Sequence, residues 1–397
     1  MPGYCRDLRN RQTQPYAGPN PIQARWRHPN DARVKRERSF ATKREARAWI
    51  AEQDTDAKRG VWHDPLAGRE TFAAVADQWW DATHRALAPK TRDGYQTILR
   101  CHLIPAFGER RIVGIDAADV QRYTNNLADR RAAKTVKNVL MQLTAIMDFA
   151  VRRRYIPTNP CTAVRRPPGR RQRKVTPLPH SELARLADAM PNATSRAAVL
   201  VAGYCGLRAG EVWALRRNDV LIRRLRVDEK ITEVKVDQRD ADYTILPNGL
   251  AVGPTKTYNN EPVAMPEFVA EALAALILPS MAADAFLFTD SFGGPMRQSN
   301  WYLRTYKPTL VKTLSAEYHG VTFHDLRHTC AAYMIEHGFH PKVIQMQMRH
   351  STITTTMDIY GHLFPDGLDA VADALDAGYR QGLQTTGKPK KTIGRIK

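Results

Sequence analysis

The chain has 397 residues, 43% of them hydrophobic, enough for two or three buried cores and too apolar for a disordered basic tail. Its 60 Lys and Arg against 40 Asp and Glu leave a net charge of +20, so the expected partner is a polyanion. Five scattered cysteines without a C-x-x-C pair exclude a disulfide framework or a Cys-based zinc module, and no apolar run or signal peptide points to a membrane; a cytoplasmic protein with reduced thiols is expected.

Residues 1–65 are strongly basic. "PIQARWRHPN" and "RVKRERSF" alternate as two short strands around a turn at Pro29-Asn30-Asp31. "TKREARAWIAEQDTDAKRG" then reads as a helix capped by Thr42 with Glu45 three positions on, and with Ala46, Trp49 and Ile50 on one face. The sum is a small β-β-α module. From 71 to 163 the spacing is helical throughout. Phe72, Val75, Ala76 and Trp79 share a face, as do Tyr95, Ile98, Leu99 and His102, and as do Val120, Tyr123 and Leu127. "KTVKNVLMQLTAIMDFAVRRRY" carries a longer stripe from Val136 to Ala150. These segments predict an all-α, four-helix domain.

The stretch 164–178, within "VRRPPGRRQRKVTPLP", contains Arg165, Arg166, Arg170, Arg171, Arg173 and Lys174 and no acid. Its prolines and glycine stop regular structure, so it reads as a linker that tracks a phosphate backbone between two lobes. Residues 179–381 form an α+β, mainly helical domain. Helices are predicted near 181–190, 194–205, 209–217, 266–277, 299–317, 325–337 and 341–348, with strands through "LRVDEKITEVKVD", "DYTILP" and the pair flanking "KTYNNEPVAM". A last amphipathic helix, "DGLDAVADALDAGYRQGL", has Leu368, Val371, Ala372 and Leu375 on one side, and a basic tail runs from 382 to 397.

Chemistry concentrates in four places. "HDLRH" sets His324 and His328 four apart, as two zinc ligands on one helix would be. The zinc-protease pattern, however, needs Glu directly after the first His, and Arg327 would stand as a fixed charge beside a dication. An anion site accounts for the residues better: Arg327 offers a planar fork to phosphate oxygens, and His324 lies on the same face. In "GLRAGEVWALRRNDV", Gly206 and Gly210 bracket Arg208, with Glu211 one turn on to hold its guanidinium. Lys256 lies in "PTKTYNNEPVAMP", read as a hairpin with Asn259-Asn260 at its tip. "RHSTITTTMDIYGHLF" contributes His350 and Tyr360.

The ordered set Arg…Lys…His-x-x-Arg…His…Tyr resembles the tyrosine recombinase (phage integrase) family over roughly residues 175–365. The helical region before it is similar to that family's core-binding (SAM-like) domain, and residues 1–65 resemble the arm-type DNA-binding module of its long members. Carried over, the resemblance implies a site-specific recombinase that integrates or excises a phage or mobile element through a 3′-phosphotyrosine intermediate. Tyr360 would be the nucleophile, Arg208, Arg327 and His350 would hold the phosphate, His324 would be the base, Lys256 would protonate the leaving 5′-oxygen, and Glu211 would support Arg208. Neither metal nor cofactor is implied. The implied partners are double-stranded DNA at core-type and arm-type sites, a homotetramer on that DNA, and accessory directionality and DNA-bending proteins. Two stretches depart from the family pattern: Met348-Arg349 stands where Leu-Gly is common, and "EPVAMP" where Arg-x-Val-Pro is common. Three rivals are an Xer-like chromosome-dimer resolvase of the same chemistry, a non-catalytic DNA-binding protein, and a zinc hydrolase.

Overall fold

A computed structural model of the chain describes residues 3–10, 18–27, 35–58, 69–165, 176–234, 242–246, 248–255, 261–364 and 368–385. Lys256, Asn259-Asn260, the turn at Pro29-Asn30-Asp31 and the basic residues Arg166, Arg170, Arg171, Arg173 and Lys174 lie outside them. The chain divides into two compact units, Met1–Gln172 and Arg173–Lys397.

The first unit begins with a three-stranded antiparallel sheet in the order Gly3–Asp7, Ile22–Arg27, Lys35–Phe40. The strand Gly3–Asp7 goes beyond the two expected. Five residues are too few to display an alternation, and the strand is specified by its partner, register Gly3↔Trp26 to Asp7↔Ile22. Ile22, Ala24 and Trp26 alternate inward against the helix Lys43–Lys58, where Ala46 is fully buried and Trp49 and Ile50 pack alongside. The helix starts at a reciprocal cap, Glu45 N–H donating to Thr42 Oγ1 and Thr42 N–H to Glu45 Oε2, both at 3.3 Å.

The helical part of this unit contains Phe72–Thr83, Pro89–Ile98, Ala117–Ala128 and Ala133–Arg152. One core joins Phe72, Val75 and Trp79 to Leu103, Phe107, Val120, Val139, Leu143, Ile146 and Met147. The second helix runs on through a π-turn, Leu99–Leu103, into Ile104–Phe107. Pro105 explains the widening: it has no N–H for the carbonyl one turn back and its ring presses on that carbonyl. The second unit repeats the device, a π-turn at Tyr302–Tyr306 directly preceding Lys307-Pro308.

In the second unit a single apolar core gathers Leu183, Leu200, Trp213, Phe288, Trp301, Tyr306 and Phe323. The Trp301 indole N–H is satisfied inside it by Ser195 Oγ at 2.9 Å. Two small antiparallel sheets flank this core. In one, Leu250–Pro254 lies between Glu229–Glu233 and Thr244–Leu246; in the other, Arg224–Leu225 lies between Val220–Leu221 and Val263–Ala264. The strands flanking Lys256 therefore belong to different sheets, which corrects the expected hairpin. Each finds an apolar partner elsewhere, Val263 against Leu225 and Val252 against Ile231.

The last four α-helices described in this unit are Phe323–Glu336, Pro341–Gln347, Ile353–Tyr360 and Leu368–Thr385. The last presents Val371, Leu375 and Tyr379 to solvent at 54%, 70% and 67% exposure, so its apolar face does not cap its own domain. Among the described residues no helix is long and apolar enough to cross a membrane.

Candidate active site

The helix Phe323–Glu336 opens on a reciprocal cap. Thr322 N–H donates to Asp325 Oδ2 at 2.7 Å and Asp325 N–H donates back to Thr322 Oγ1 at 3.3 Å. Asp325 in "HDLRH" is thus a helix-starting residue. It fixes the turn that carries His324, Arg327 and His328.

Arg327 points into the protein, 2% exposed. Its two terminal nitrogens donate to the carbonyls of Gly206 and Met348, which lie far apart in sequence. Burial, and then the nearby Arg208, pull its pKa down to about 10, so the guanidinium still carries its charge at neutral pH. Gly206 can present its carbonyl this way because its φ is +72°, and a Cβ there would meet Met348 Sδ at 2.9 Å and Cys330 Sγ at 3.2 Å. Gly210 is required for a different reason: a Cβ would lie 2.6 Å from the Ile231 carbonyl of the adjoining sheet.

Arg208 immediately precedes the short helix Ala209–Ala214. Glu211 accepts from the Arg208 backbone N–H at 2.8 Å and from its Nη1 at 3.0 Å, as the spacing implied. The other terminal nitrogen of Arg208 reaches the Arg349 carbonyl at 3.4 Å. Consecutive carbonyls, Met348 and Arg349, therefore tie down the two guanidiniums.

Arg349 itself is a residue whose contribution the sequence did not reveal. It holds a left-handed φ of +51° and is 1% exposed. Its guanidinium reaches Thr255 Oγ1 at 3.3 Å and lies 3.6 Å from Glu211 Oε1. The carboxylate of Glu211, 3% exposed, is thereby shared by two arginines. Where the family commonly has a glycine suited to that φ, this chain has a buried cation that links Glu211 to the residue directly before Lys256. Gln347 adds a second tie: its amide accepts from Ala264 N–H at 2.8 Å and donates to the carbonyls of Ala264 (2.9 Å) and Cys205 (3.1 Å).

Tyr360 ends the helix Ile353–Tyr360 and is 2% exposed, packed with Ala331, Ile335, Ile344 and Met348. Its hydroxyl is 2.7 Å from His328 Nδ1. Burial raises the phenol pKa, and the charges of Arg327 and Arg208 act in the opposite direction, so both arginines are within electrostatic reach of the phenol. His350 is buried, with Nδ1 2.9 Å from Thr356 Oγ1 and its ring 6.3 Å from that of Tyr360. Burial, then the charge of Arg327, lowers the His350 pKa to about 4. Burial, then His324, does the same to His328. His324 is open to solvent, yet desolvation and then Arg327 hold its pKa below the ordinary value. At neutral pH the site's positive charge is therefore carried by guanidiniums, and its three imidazoles are neutral hydrogen-bonding groups.

Arg208, Glu211, His324, Arg327, His350 and Tyr360 come together in one region of the second unit. Arg165 is exposed in the first unit, its backbone N–H held by the Gln121 side chain at 2.8 Å. A cavity of about 360 Å³ opens beside the cluster, lined in part by Lys342, Arg349, His350 and Ser351. His324 and His328 stand ring to ring at 5.0 Å, edge to face. Among the described residues no group of three or more His, Cys, Asp or Glu side chains could hold a metal.

The profile of the "Phage integrase family" matches residues 177–366 and that of the "Phage integrase central domain" matches 72–167. A putative prophage phiRv2 integrase of Mycobacterium tuberculosis is 29% identical over 227 residues, 53% of this chain; the match spans 59% of that protein's length. The integrase of Mycobacterium phage D29 is 26% identical over 345 residues, 83% of this chain and 87% of the phage protein. Among solved structures, the Tn1549 transposon integrase in complex with a circular intermediate DNA superposes with a TM-score of 0.62 at 19% identity, covering 77% of this chain and 99% of that one. A lambda integrase tetramer bound to a Holliday junction gives 0.53 at 16% identity, covering 86% and 92%. These structures share the fold.

Proposed function

The chain belongs to the phage integrase family, the tyrosine recombinases, and from that membership we propose that it cuts and rejoins duplex DNA at specific sites, integrating or excising a phage or mobile element. The observation that carries this reading is the buried Tyr360 packed with Met348, whose carbonyl binds the Arg327 guanidinium while the next carbonyl, that of Arg349, binds Arg208. A phenol so placed can attack a phosphorus whose non-bridging oxygens the two guanidiniums hold.

In the proposed reaction the Tyr360 oxygen bonds to phosphorus and the bond to the 5′-oxygen breaks, leaving a 3′-phosphotyrosine and a 5′-hydroxyl. Arg208, Arg327 and His350 stabilise the charge that builds on the phosphoryl oxygens, Glu211 holds Arg208, and Lys256 protonates the departing oxygen. Each donor aimed at the developing charge is worth on the order of 10²–10³ in rate. Resealing reverses these steps with the partner strand's 5′-hydroxyl, so the bond energy stays in the covalent link and no nucleotide triphosphate is consumed.

Residues 71–163 then serve as the core-binding domain, and 1–65 as an arm-type module for a second class of DNA site. Arg165, Arg166, Arg170, Arg171, Arg173 and Lys174 contact backbone phosphates from the linker. The exposed apolar face at Val371, Leu375 and Tyr379 supports exchange of the last helix between subunits of a tetramer, the assembly in which lambda integrase was solved. The DNA substrate locates the protein in the cytoplasm.

A nicked duplex that traps the cleaved strand is the direct test. The wild type should leave a protein–DNA adduct that survives detergent, Tyr360→Phe should leave none, and EDTA should change neither. Absence of an adduct with every cognate site would leave a non-catalytic DNA-binding protein. Adduct formation abolished by EDTA would revive a metal hydrolase. Efficient recombination of short core sites after deletion of residues 1–65 would favour the chromosome-dimer resolvase.

A further inference from the structure

We infer that His328 is the group that takes the phenolic proton of Tyr360 during cleavage, a task the sequence pattern gave to His324. The inference rests on the recombinase reading above and deepens it. The Tyr360 hydroxyl meets His328 Nδ1 at 2.7 Å, within the range of a strong O–H···N bond. His324 is one turn back on the same helix, and its ring faces the His328 ring edge-on at 5.0 Å. The ring next to the nucleophile is thus the second histidine of "HDLRH", with the first standing outside it toward solvent.

The protonation state fits. Burial and His324 keep His328 neutral, so one ring nitrogen carries a proton and the other a lone pair. With the proton on Nε2, Nδ1 accepts from the phenol. As the Tyr360 oxygen bonds to phosphorus, its proton passes to Nδ1 and gives an imidazolium, while the leaving 5′-oxygen takes its proton from Lys256. On resealing, the imidazolium returns the proton to the phenolate as it departs. The groups acting on His328 are His324, Asp325 and Arg327 from its own helix, Tyr360 from the helix Ile353–Tyr360, and His350, which precedes that helix. A scissile phosphate adds negative charge to this set, which raises the basicity of the ring when substrate is bound.

The test compares His328→Asn with His324→Asn, each carrying either tyrosine or a fluorinated tyrosine of lower phenol pKa at position 360. Single-turnover adduct formation on the nicked duplex is the readout. Binding to intact duplex and the melting temperature identify any variant that has lost its fold. Asn at 328 still offers an oxygen to the phenol but cannot carry its proton away. Loss of a general base costs about 10²–10⁴ in rate, and that is the expected drop for His328→Asn with DNA binding retained. The fluorinated tyrosine needs a base less, so it should recover most of the loss in His328→Asn and little in His324→Asn. Three results would overturn the inference: His328→Asn cleaving at wild-type rate, equal loss with both phenols, or recovery confined to His324→Asn. A wild type that forms no adduct would remove the recombinase reading, and the role of His328 with it.

Discussion

Replacing Glu211 with Gln isolates the charge that organises the site. The two side chains have nearly the same shape, so no cavity forms. The carboxylate is 3% exposed, holds the Arg208 backbone N–H at 2.8 Å and its guanidinium at 3.0 Å, and lies 3.6 Å from the Arg349 guanidinium. Gln supplies one acceptor oxygen where two face donors, and its amide N–H groups point at N–H groups. Removing one partner of a buried ion pair costs roughly 3–5 kcal/mol. For a unit of this size each kcal/mol shifts the melting temperature by about 2–4 °C, which gives a drop of roughly 6–20 °C. Two unneutralised guanidiniums then repel each other, and Arg208 leaves its place, so adduct formation should also fall by about 10²–10³. Calorimetry on the full chain and single-turnover cleavage of a nicked duplex read the two effects separately. A shift under about 2 °C with unchanged cleavage would refute the view that Glu211 balances two arginines.

Three further outcomes are expected. Arg349→Gly relieves a left-handed φ worth about 1 kcal/mol but strips Glu211 of one cation and Thr255 of its guanidinium contact; urea unfolding should show a net loss of about 1–3 kcal/mol, and a gain would mean that the guanidinium is merely tolerated. Gly206→Ala forces a Cβ against Met348 Sδ and Cys330 Sγ at a φ of +72° and shifts the carbonyl that Arg327 uses, so roughly 1–3 kcal/mol of stability and most of the adduct yield should disappear. His328 and His350 have folded pKa values near 4 against an ordinary 6.5, so the unfolded chain binds more protons between those limits. Their contribution to stability is complete above pH 6.5 and lost as pH falls toward 4; melting temperature against pH should show this slope, reduced in His350→Gln.

Much of the site was legible because its signals are local. The His-x-x-Arg spacing puts two side chains on one helical face, Glu211 three residues after Arg208 reaches back to it, and Asp325 caps the turn that presents them. Each of these relations closes within one helical turn. The apolar periodicity likewise predicted the helical domain from Phe72 to Ala150. The strand Gly3–Asp7 and the separate sheets on either side of Lys256 were not legible, because short strands take their place from partners distant in sequence.

By itself, then, the sequence determined the excess of basic charge, the helical periodicity between Phe72 and Ala150, and the ordered set of cations, imidazoles and phenol. Tertiary structure alone decided which imidazole meets Tyr360, because that contact joins residues 32 positions apart and depends on how the helix Ile353–Tyr360 docks. It alone gave Arg349 a buried place beside Glu211, since a charge is stable there only when folding brings a carboxylate to it. Spacing within a helix can be read along the chain, whereas contacts between helices are set by the packing of the core beneath them.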